Sequence, residues 1–464
     1  MTELLAATAG PQPGLGVRAL QSPIGRIASG WWIDGPALAA MLRVYFPLSR
    51  LWAASELSGT DVDAFAAAAG VRIPGFLRAR TARALARVAD ARAAAEAAVG
   101  ARDAAFWSPE PPLHDRLLHL ERARLAACDR YLTSRLAFWP LRPFVRLRPA
   151  RLDSVERPEA VLPQTEAGLA DRSGWFAPPP ETAIAQSHVI RRRSNRRDYW
   201  LRFRSPVQGD TVTVHVREPV HVADPPTVIY GSGIGMEPDQ WCDPMGDFAA
   251  FVERGARIIE LQAPWHGARR PAGYWSGEPF FATAPMGPIR FFRAQAQEIA
   301  ALVGWARQTS RGPVALAGVS LGALAAQLVA DVARDWPPDL QPDAMFLLTA
   351  ADRLDLLTFD SALARGVGLD RALTRAGWTP ELLAGLRPLT DPIRPPVMGP
   401  ERVVMVLGTR DSVTPYALGA AMARLWGLPP ENLFVGRRGH FSTPISVLRD
   451  QRPIDRLAEV LATA

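Results

Sequence analysis

The 464-residue sequence contains no lysine and only two cysteines, Cys128 and Cys242. Two cysteines are too few for a disulfide framework, and their separation does not match that of metal-ligating pairs. A disulfide-rich or zinc-binding domain is therefore excluded, and buried thiols are expected. All 53 basic residues are arginine, and the formal net charge is +7. Since aspartate and glutamate are interspersed with these arginines, the charge indicates a solvated mixed surface.

The sequence also has few features typical of nucleic-acid binding or of a secretory signal peptide. The one dense arginine cluster covers 191–193 with Arg196 and Arg197, and no basic groove with aromatic residues accompanies it. No nucleic-acid partner is therefore expected. The segment Met1–Leu5 begins neither a basic n-region nor a sustained apolar core, so no signal peptide is predicted. A cytoplasmic location is the expectation.

The stretch from Trp31 to Trp52 mixes aromatic and aliphatic side chains with arginines, a composition that suits a membrane surface. Its charged residues and Pro47 exclude a continuous membrane span. We expect this stretch to pack a helical region against the rest of the protein, with its tryptophans buried. Peripheral membrane contact is the alternative.

The sequence Gly318-Val319-Ser320-Leu321-Gly322 lies between an apolar run typical of a strand and an alanine-rich run typical of a helix. This context predicts a nucleophile elbow, in which a serine hydroxyl projects from a strained turn and small neighbours let strand and helix approach closely. Ser320 is the predicted nucleophile. The alternative is a small residue at a tight turn.

A serine hydroxyl needs a histidine to remove its proton and a carboxylate to hold that histidine in the correct tautomer. His440 is the only histidine after Ser320, and Asp411 follows an apolar, β-branched run at 402–407. The order serine, acid, histidine is that of an α/β-hydrolase elbow protein. Asp352, after an earlier apolar run, is the rival acid. The alternatives are a turn-forming aspartate and a surface histidine.

Ester chemistry also needs donors for the developing oxyanion, and two are predicted. One is the backbone N–H of Leu321, directly after the nucleophile. The other comes from the glycine-rich segment 231–235 that follows the strand at 227–230, with Ser232 as first choice and Gly233 as alternate. A phosphate cradle is the weaker interpretation because the complete G-x-G-x-x-G pattern is absent.

Three further residues are expected at the substrate site: Gly231, Gly233 and His266. His266 precedes the nucleophile in the chain, so a positioning or pocket-lining role is expected for it before a role as the base. No metal site is predicted.

Residues from about 190 to 450 resemble the α/β-hydrolase superfamily and, within it, the group of the α/β-hydrolase domain-containing protein 18. The resemblance is carried by the elbow, by Gly231-Ser232-Gly233 with Trp241, by Ala263-Pro264-Trp265-His266-Gly267-Ala268-Arg269-Arg270-Pro271, by Asp411 with Pro415, and by Gly439-His440. It implies Ser320, Asp411 and His440 as a catalytic triad, an acyl ester as substrate and no cofactor. Tyr230 stands where many hydrolases have histidine, so the oxyanion loop must be supported by other hydrogen bonds.

The pattern along the chain divides it into two parts. Alanine, leucine and arginine at helical spacing predict a helical region over 1–177, and three prolines at 178–180 mark a linker. Residues 178–464 are the predicted hydrolase domain, with a helical lid insertion at 354–396. An antiparallel hairpin precedes strands that alternate with helices. The predicted fold class is α/β: a mostly parallel, doubly wound α/β-hydrolase sheet with an N-terminal helical domain and a helical lid.

The expected function is hydrolysis of an acyl ester, of a small molecule or of a lipid, through a Ser320 acyl-enzyme. An acyltransferase would use the same residues with an alcohol as acceptor in place of water. A non-catalytic binding protein of the same fold is the third possibility, and the presence of all three triad residue types in order argues against it. Acyl chain length, alcohol moiety and oligomeric state are left open.

Overall fold

The computed structural model of the protein describes residues 30–145, 148–192, 195–237 and 249–464. The N-terminal segment Met1–Leu5, Arg193, Trp241 and Cys242, which were considered above, lie outside these ranges. Cys128 is buried, as expected.

The described residues from 30 to 177 form helices joined by loops. Its α-helices are α1 (Asp34–Ala40), α2 (Phe46–Ser58), α3 (Val62–Ala69), α4 (Arg78–Phe106), α5 (His114–Thr133), α6 (Pro158–Ala170) and α7 (Arg172–Trp175). A 3₁₀ turn at Trp31–Ile33 leads into α1, and a π-helical turn at Met41–Tyr45 joins α1 to α2, so the helical path is continuous from Trp31 to Ser58.

The strands begin after residue 184. They are β1 (Ala185–Gln186), β2 (Ile190–Arg192), β3 (Arg196–Arg204), β4 (Thr211–Pro219), β5 (Thr227–Gly231), β6 (Arg257–Leu261), β7 (Val314–Val319), β8 (Ala344–Leu348), β9 (Val403–Gly408) and β10 (Leu433–Gly436). The helices among them are α8 (Ala249–Glu253), α9 (Glu278–Ala282), α10 (Met286–Thr309), α11 (Leu321–Val332), α12 (Leu354–Asp360), α13 (Ala362–Val367), α14 (Leu369–Ala376), α15 (Pro380–Ala384), α16 (Tyr416–Trp426), α17 (Ser442–Arg449) and α18 (Arg452–Ala462).

All of these strands belong to one sheet, in the order β1-β3-β4-β6-β5-β7-β8-β9-β10, with β2 paired to β3. The pairs β3–β4 and β4–β6 are antiparallel, and the strands from β6 to β10 in this order are parallel to one another. The hairpin β3–β4 was expected at this place. The chain has the α/β-hydrolase fold, so the predicted fold class is confirmed.

The central strands β7, β8 and β9 are buried almost throughout because helices cover both faces of the sheet. Helices α8, α17 and α18 pack on one face, and α10, α11 and α16 pack on the other. In β4, buried valines alternate with partly exposed residues, as expected of a strand with one face on the core.

The helical region has an apolar cluster of its own. Leu51, Trp52, Phe65, Leu85 and Phe138 are among its buried members. At the start of α3, the Asp61 carboxylate accepts the N–H groups of two following residues, at 2.8 and 3.1 Å, and caps the helix.

The expectation that the tryptophans between 31 and 52 are buried is correct for Trp52 and wrong for Trp31 and Trp32. Trp52 is 1% exposed, whereas Trp31 and Trp32 are 36% and 47% exposed. Trp31 and Trp32 contact each other edge to face with 6.2 Å between ring centres, and the guanidinium groups of Arg410 and Arg437 lie 4.2 and 5.1 Å from the Trp31 ring centre. These contacts leave both rings partly at the surface. Within the described ranges, no helix combines the length and the hydropathy required to cross a bilayer.

Candidate active site

Ser320 lies in a tight turn between β7 and α11 with backbone angles φ 54° and ψ −119°. This left-handed conformation is strained for a residue with a side chain and projects the hydroxyl away from the sheet. Its two flanking glycines are sterically required. A Cβ at Gly318 would lie 2.3 Å from the Gly322 carbonyl group, and one at Gly322 would lie 2.0 Å from the Gly231 oxygen. The geometry is that of the predicted elbow.

The structure brings the other two predicted residues to this turn. His440 Nε2 lies 2.9 Å from Ser320 Oγ, and His440 Nδ1 lies 2.9 Å from Asp411 Oδ2. All three side chains are largely buried. The arrangement is a continuous hydrogen-bonded series from hydroxyl through imidazole to carboxylate.

Asp411 is held by its own loop. Its Oδ1 accepts the N–H groups of Val413 and Thr414, both at 2.8 Å, and its Oδ2 accepts the Thr414 hydroxyl at 2.9 Å. Thr414 Oγ1 is also 3.2 Å from His440 Nδ1. These contacts orient one carboxylate oxygen toward the imidazole. The sequence assigned Thr414 no role, since a threonine in the turn after Asp411 carries no signal of its own.

The rival acid, Asp352, is not the carboxylate at His440. It follows β8, one strand away from the loop of Asp411, and burial raises the pKa of its carboxyl above the ordinary value. The His440 ring contacts Asp411 and Thr414 instead.

Leu321 and Gly233, two of the predicted oxyanion donors, lie beside Ser320. Leu321 is the first residue of α11, and an N–H at that position lacks a partner within its own helix. Gly233 lies directly beside the nucleophile, because a Cβ added to it would be 3.5 Å from Ser320 Cβ. Gly231 ends β5 and packs on Gly322. Ser232, between these glycines, is half-buried, and its role as a donor stays a prediction.

His266 supports the glycine-rich loop from behind. It is 2% exposed, its Nδ1 lies 2.9 Å from the Pro264 oxygen, and its Nε2 accepts the Gly235 N–H at 3.4 Å. Burial lowers the pKa of His266 to about 4, so the ring is neutral at pH 7 with its proton on Nδ1. His266 is not among the residues that line the cavity at Ser320. Its expected contact with substrate therefore remains a prediction.

The helical region also contacts this loop. Tyr45 Oη donates to the Gly235 oxygen at 3.1 Å, and the Phe46 ring stacks on Trp275 with 4.1 Å between ring centres. These contacts, with that of His266, explain how the loop is supported although Tyr230 replaces histidine. No sequence pattern indicated that residues 45 and 46 reach this loop.

A cavity of about 90 Å³ opens beside Ser320. Its wall is mainly apolar and comes from the segment 280–289 and from the insertion helices α12 to α15. The lining includes Ile234, Phe280, Phe281, Ile289, Leu321, Leu324, Leu354, Leu357, Leu363, Leu369, Leu373, Leu383, Leu386 and Val413. Among the described residues of the wall, Asp355 alone is charged, and its carboxylate pairs with Arg353 at 2.6 Å. In the described part of the chain, no group of three or more His, Cys, Asp and Glu side chains is arranged to hold a metal ion.

Neither a protein-family model nor a curated protein matches the chain. Among solved structures, acetyl xylan esterase 1 from Thermoanaerobacterium is similar at 16% identity, with a TM-score of 0.47 and coverage of 64% of this chain and 94% of that one. A hyperthermophilic esterase from Pyrobaculum calidifontis is 16% identical, with a TM-score of 0.38 and coverage of 67% and 93%. Carboxyl esterase 2 from Tuber melanosporum is 13% identical, with a TM-score of 0.38 and coverage of 61% and 88%. Values this low leave substrate and activity to be argued from the site itself.

Proposed function

We propose that the protein is a serine hydrolase that cleaves an acyl ester through a covalent intermediate on Ser320. The hydrogen-bonded series of Ser320, His440 and Asp411, set at a strained elbow beside an apolar cavity, is the observation that carries the proposal. Each residue has the position that acyl transfer requires of a nucleophile, a base and an orienting acid.

In the first half of the reaction, His440 Nε2 takes the Ser320 proton as Oγ attacks the ester carbonyl carbon. Asp411 accepts the Nδ1–H and stabilises the imidazolium that forms. The carbonyl oxygen becomes an oxyanion, and the N–H of Leu321 with an N–H of Ser232 or Gly233 stabilises it. The tetrahedral intermediate then expels the alcohol, which receives the proton from Nε2.

In the second half, a water molecule gives a proton to His440 Nε2 and attacks the acyl carbon. The proton returns to Ser320 Oγ as the acid leaves, so the enzyme is regenerated. An alcohol in place of that water would make the same cycle an acyl transfer.

The cavity wall suits the acyl group, because it offers leucine, phenylalanine and isoleucine side chains with few polar groups. Pockets for drug-sized ligands enclose about 300–1,000 Å³. A volume of about 90 Å³ therefore suits a short acyl chain, and a longer one requires the insertion to move. On this proposal residues 354–396 act as a lid.

Several finer assignments belong to the same proposal. The chain is related to the group of the α/β-hydrolase domain-containing protein 18, it divides at about residue 178 into a helical region and a hydrolase domain, and it acts in the cytoplasm. The substrate is a small-molecule ester or a lipid ester at a membrane surface.

A fluorophosphonate probe tests the nucleophile, because it reacts with an activated serine. We expect one labelled peptide, which contains Ser320. Labelling and ester turnover should both disappear in Ser320→Ala and persist in Ser173→Ala, whose serine is exposed on α7. Labelling of Ser320→Ala at the wild-type level would contradict the assignment.

A series of p-nitrophenyl esters tests the acyl site. We expect kcat/KM to be highest for short acyl chains and to fall when the chain exceeds the cavity. Equal rates for acetyl and long-chain esters would argue against an acyl site limited by the insertion helices.

A further inference from the structure

The loop that carries His440 is held by a carboxylate from the opposite end of the chain. Asp34 is the first residue of α1. Its Oδ1 accepts the backbone N–H groups of Phe441 and Ser442 at 2.6 and 3.0 Å. Its Oδ2 accepts the Gly439 N–H at 3.2 Å and the Ser442 hydroxyl at 2.5 Å. One carboxylate therefore receives the N–H groups on both sides of His440.

The backbone around His440 leaves room for the Asp34 carboxylate. A Cβ at Gly439 would lie 2.4 Å from Asp34 Cγ, so any side chain at 439 would displace the carboxylate. Helix α17 begins at Ser442 and has no side-chain cap from the preceding residue. Asp34 supplies that cap, and a negative charge at a helix N-terminus is favourable.

Two further contacts place the same helical path across the site. The Trp31 ring lies 4.2 Å from the guanidinium carbon of Arg410, which directly precedes Asp411. Tyr45, at the other end of the π-helical turn, donates to the oxyanion loop at Gly235. The segment from Trp31 to Tyr45 thus contacts the loops of the acid, the base and the oxyanion donors.

We propose that Asp34 is a positioning residue that fixes the His440 loop so that Nε2 meets Ser320 Oγ. The expected effect of Asp34 on turnover rests on the proposed function. Asp34 touches no reacting atom. It acts through the backbone on either side of the base, and its removal should loosen the imidazole while the elbow, the acid and the cavity stay in place.

The test compares Asp34→Ala and Asp34→Asn with Asp61→Ala. Asp61 is a matched control, since it also accepts two backbone N–H groups at a helix start in the helical region but lies away from the site. We expect Asp34→Ala to lower kcat by about 10²-fold with KM unchanged, because a misplaced catalytic group can cost that much. Asparagine keeps a carbonyl oxygen as acceptor and should restore part of the loss. Equal kcat values for Asp34→Ala and Asp61→Ala would overturn the proposal.

A second measurement does not depend on ester turnover. The measurement is an NMR spectrum of protein labelled with ¹⁵N-histidine. The chain has seven histidines, and the signals of His440 are those missing from the spectrum of His440→Gln. We expect these signals to shift or broaden in Asp34→Ala and to stay unchanged in Asp61→Ala. Unchanged signals in both variants would refute the positioning role. Failure of wild-type protein to react with any ester or fluorophosphonate would instead refute the proposed function, and the histidine signals would still decide the role of Asp34.

Discussion

The loops that carry Asp411 and His440 differ in where their hydrogen-bond partners lie in the chain. Asp411 receives its hydrogen bonds from residues two and three positions further along the same loop. The His440 loop receives a carboxylate from Asp34, at the far end of the chain. The Asp411 carboxylate is therefore held by its own loop. The His440 loop has local hydrogen bonds with Ser442 and Thr443 and, in addition, the contact with Asp34 from the far end of the chain. Loss of the Asp34 carboxylate should therefore disturb the backbone beside His440 and leave the hydrogen bonds of the Asp411 carboxylate in place.

The largest effect is expected where the local loop is broken directly. Asp411→Asn should reduce kcat by about 10⁴-fold, as in well-studied triads, because the amide no longer stabilises the correct imidazole tautomer. Asp352→Asn should reduce it far less, since Asp352 does not contact His440. Steady-state kinetics of both variants check this. The opposite ranking would assign the acid to the loop after β8.

The next largest effect is expected on the stability of the helical region, which contains Asp34. Trp52 is buried in the cluster of the helical region, and Trp52→Ala should lower the free energy of unfolding by about 3–5 kcal/mol. If the base depends on this region, turnover should disappear over the same temperature range in which the region unfolds. Thermal unfolding followed by circular dichroism, in parallel with ester turnover, measures both.

Trp32→Ala is the control for this change, because Trp32 is 47% exposed. Its unfolding temperature should stay near that of wild type. Normal folding of Trp52→Ala, with loss of a strong, salt-sensitive sedimentation with anionic liposomes, would favour a membrane role for this region instead.

The oxyanion loop has one support from the predicted hydrolase domain, His266, and one from the helical region, Tyr45. His266 is neutral when folded, with a pKa of about 4 against 6.5 for an ordinary histidine. Between these values the unfolded chain binds a proton that the folded protein does not, so stability is lost as pH falls from 6.5 toward 4. The loss should reach about 3 kcal/mol.

His266→Asn, which keeps a donor near the Pro264 oxygen, should lack this part of the pH dependence. Denaturant unfolding of wild type and variant at pH 7 and pH 4.5 gives the difference. The same change in stability for both proteins would mean that His266 is not held neutral by the fold.

The smallest effect tests the hydroxyl that joins the two loops. Thr414→Val keeps the shape of the side chain and removes its hydrogen bond to Asp411. The lost hydrogen bond should raise the activation free energy by about 1 kcal/mol, because Asp411 is then oriented less firmly, and kcat should fall about fivefold. Thr409→Val, at the start of the same turn, should have no such effect. A decrease as large as that of Asp34→Ala would mean that the local and distant supports contribute equally.

The elbow, the mostly parallel sheet with its antiparallel hairpin and the candidate triad were accessible from the sequence because they depend on local patterns. A glycine on each side of Ser320 is required by the close approach of β7 and α11, and the buried parallel strands appear as short apolar runs. The loops after β9 and β10 then lie at the carboxyl edge of one sheet, so Asp411 and His440 converge without any special signal.

Only the tertiary structure shows which aspartate contacts His440, what supports Gly235 and what caps the His440 loop. Each depends on which side chain reaches which backbone group across large separations in the chain. A carboxylate at the start of a helix, such as Asp34, is equally typical of a local cap. Its partners here are Gly439, Phe441 and Ser442, 405 to 408 positions further along the chain, and no local pattern encodes that pairing.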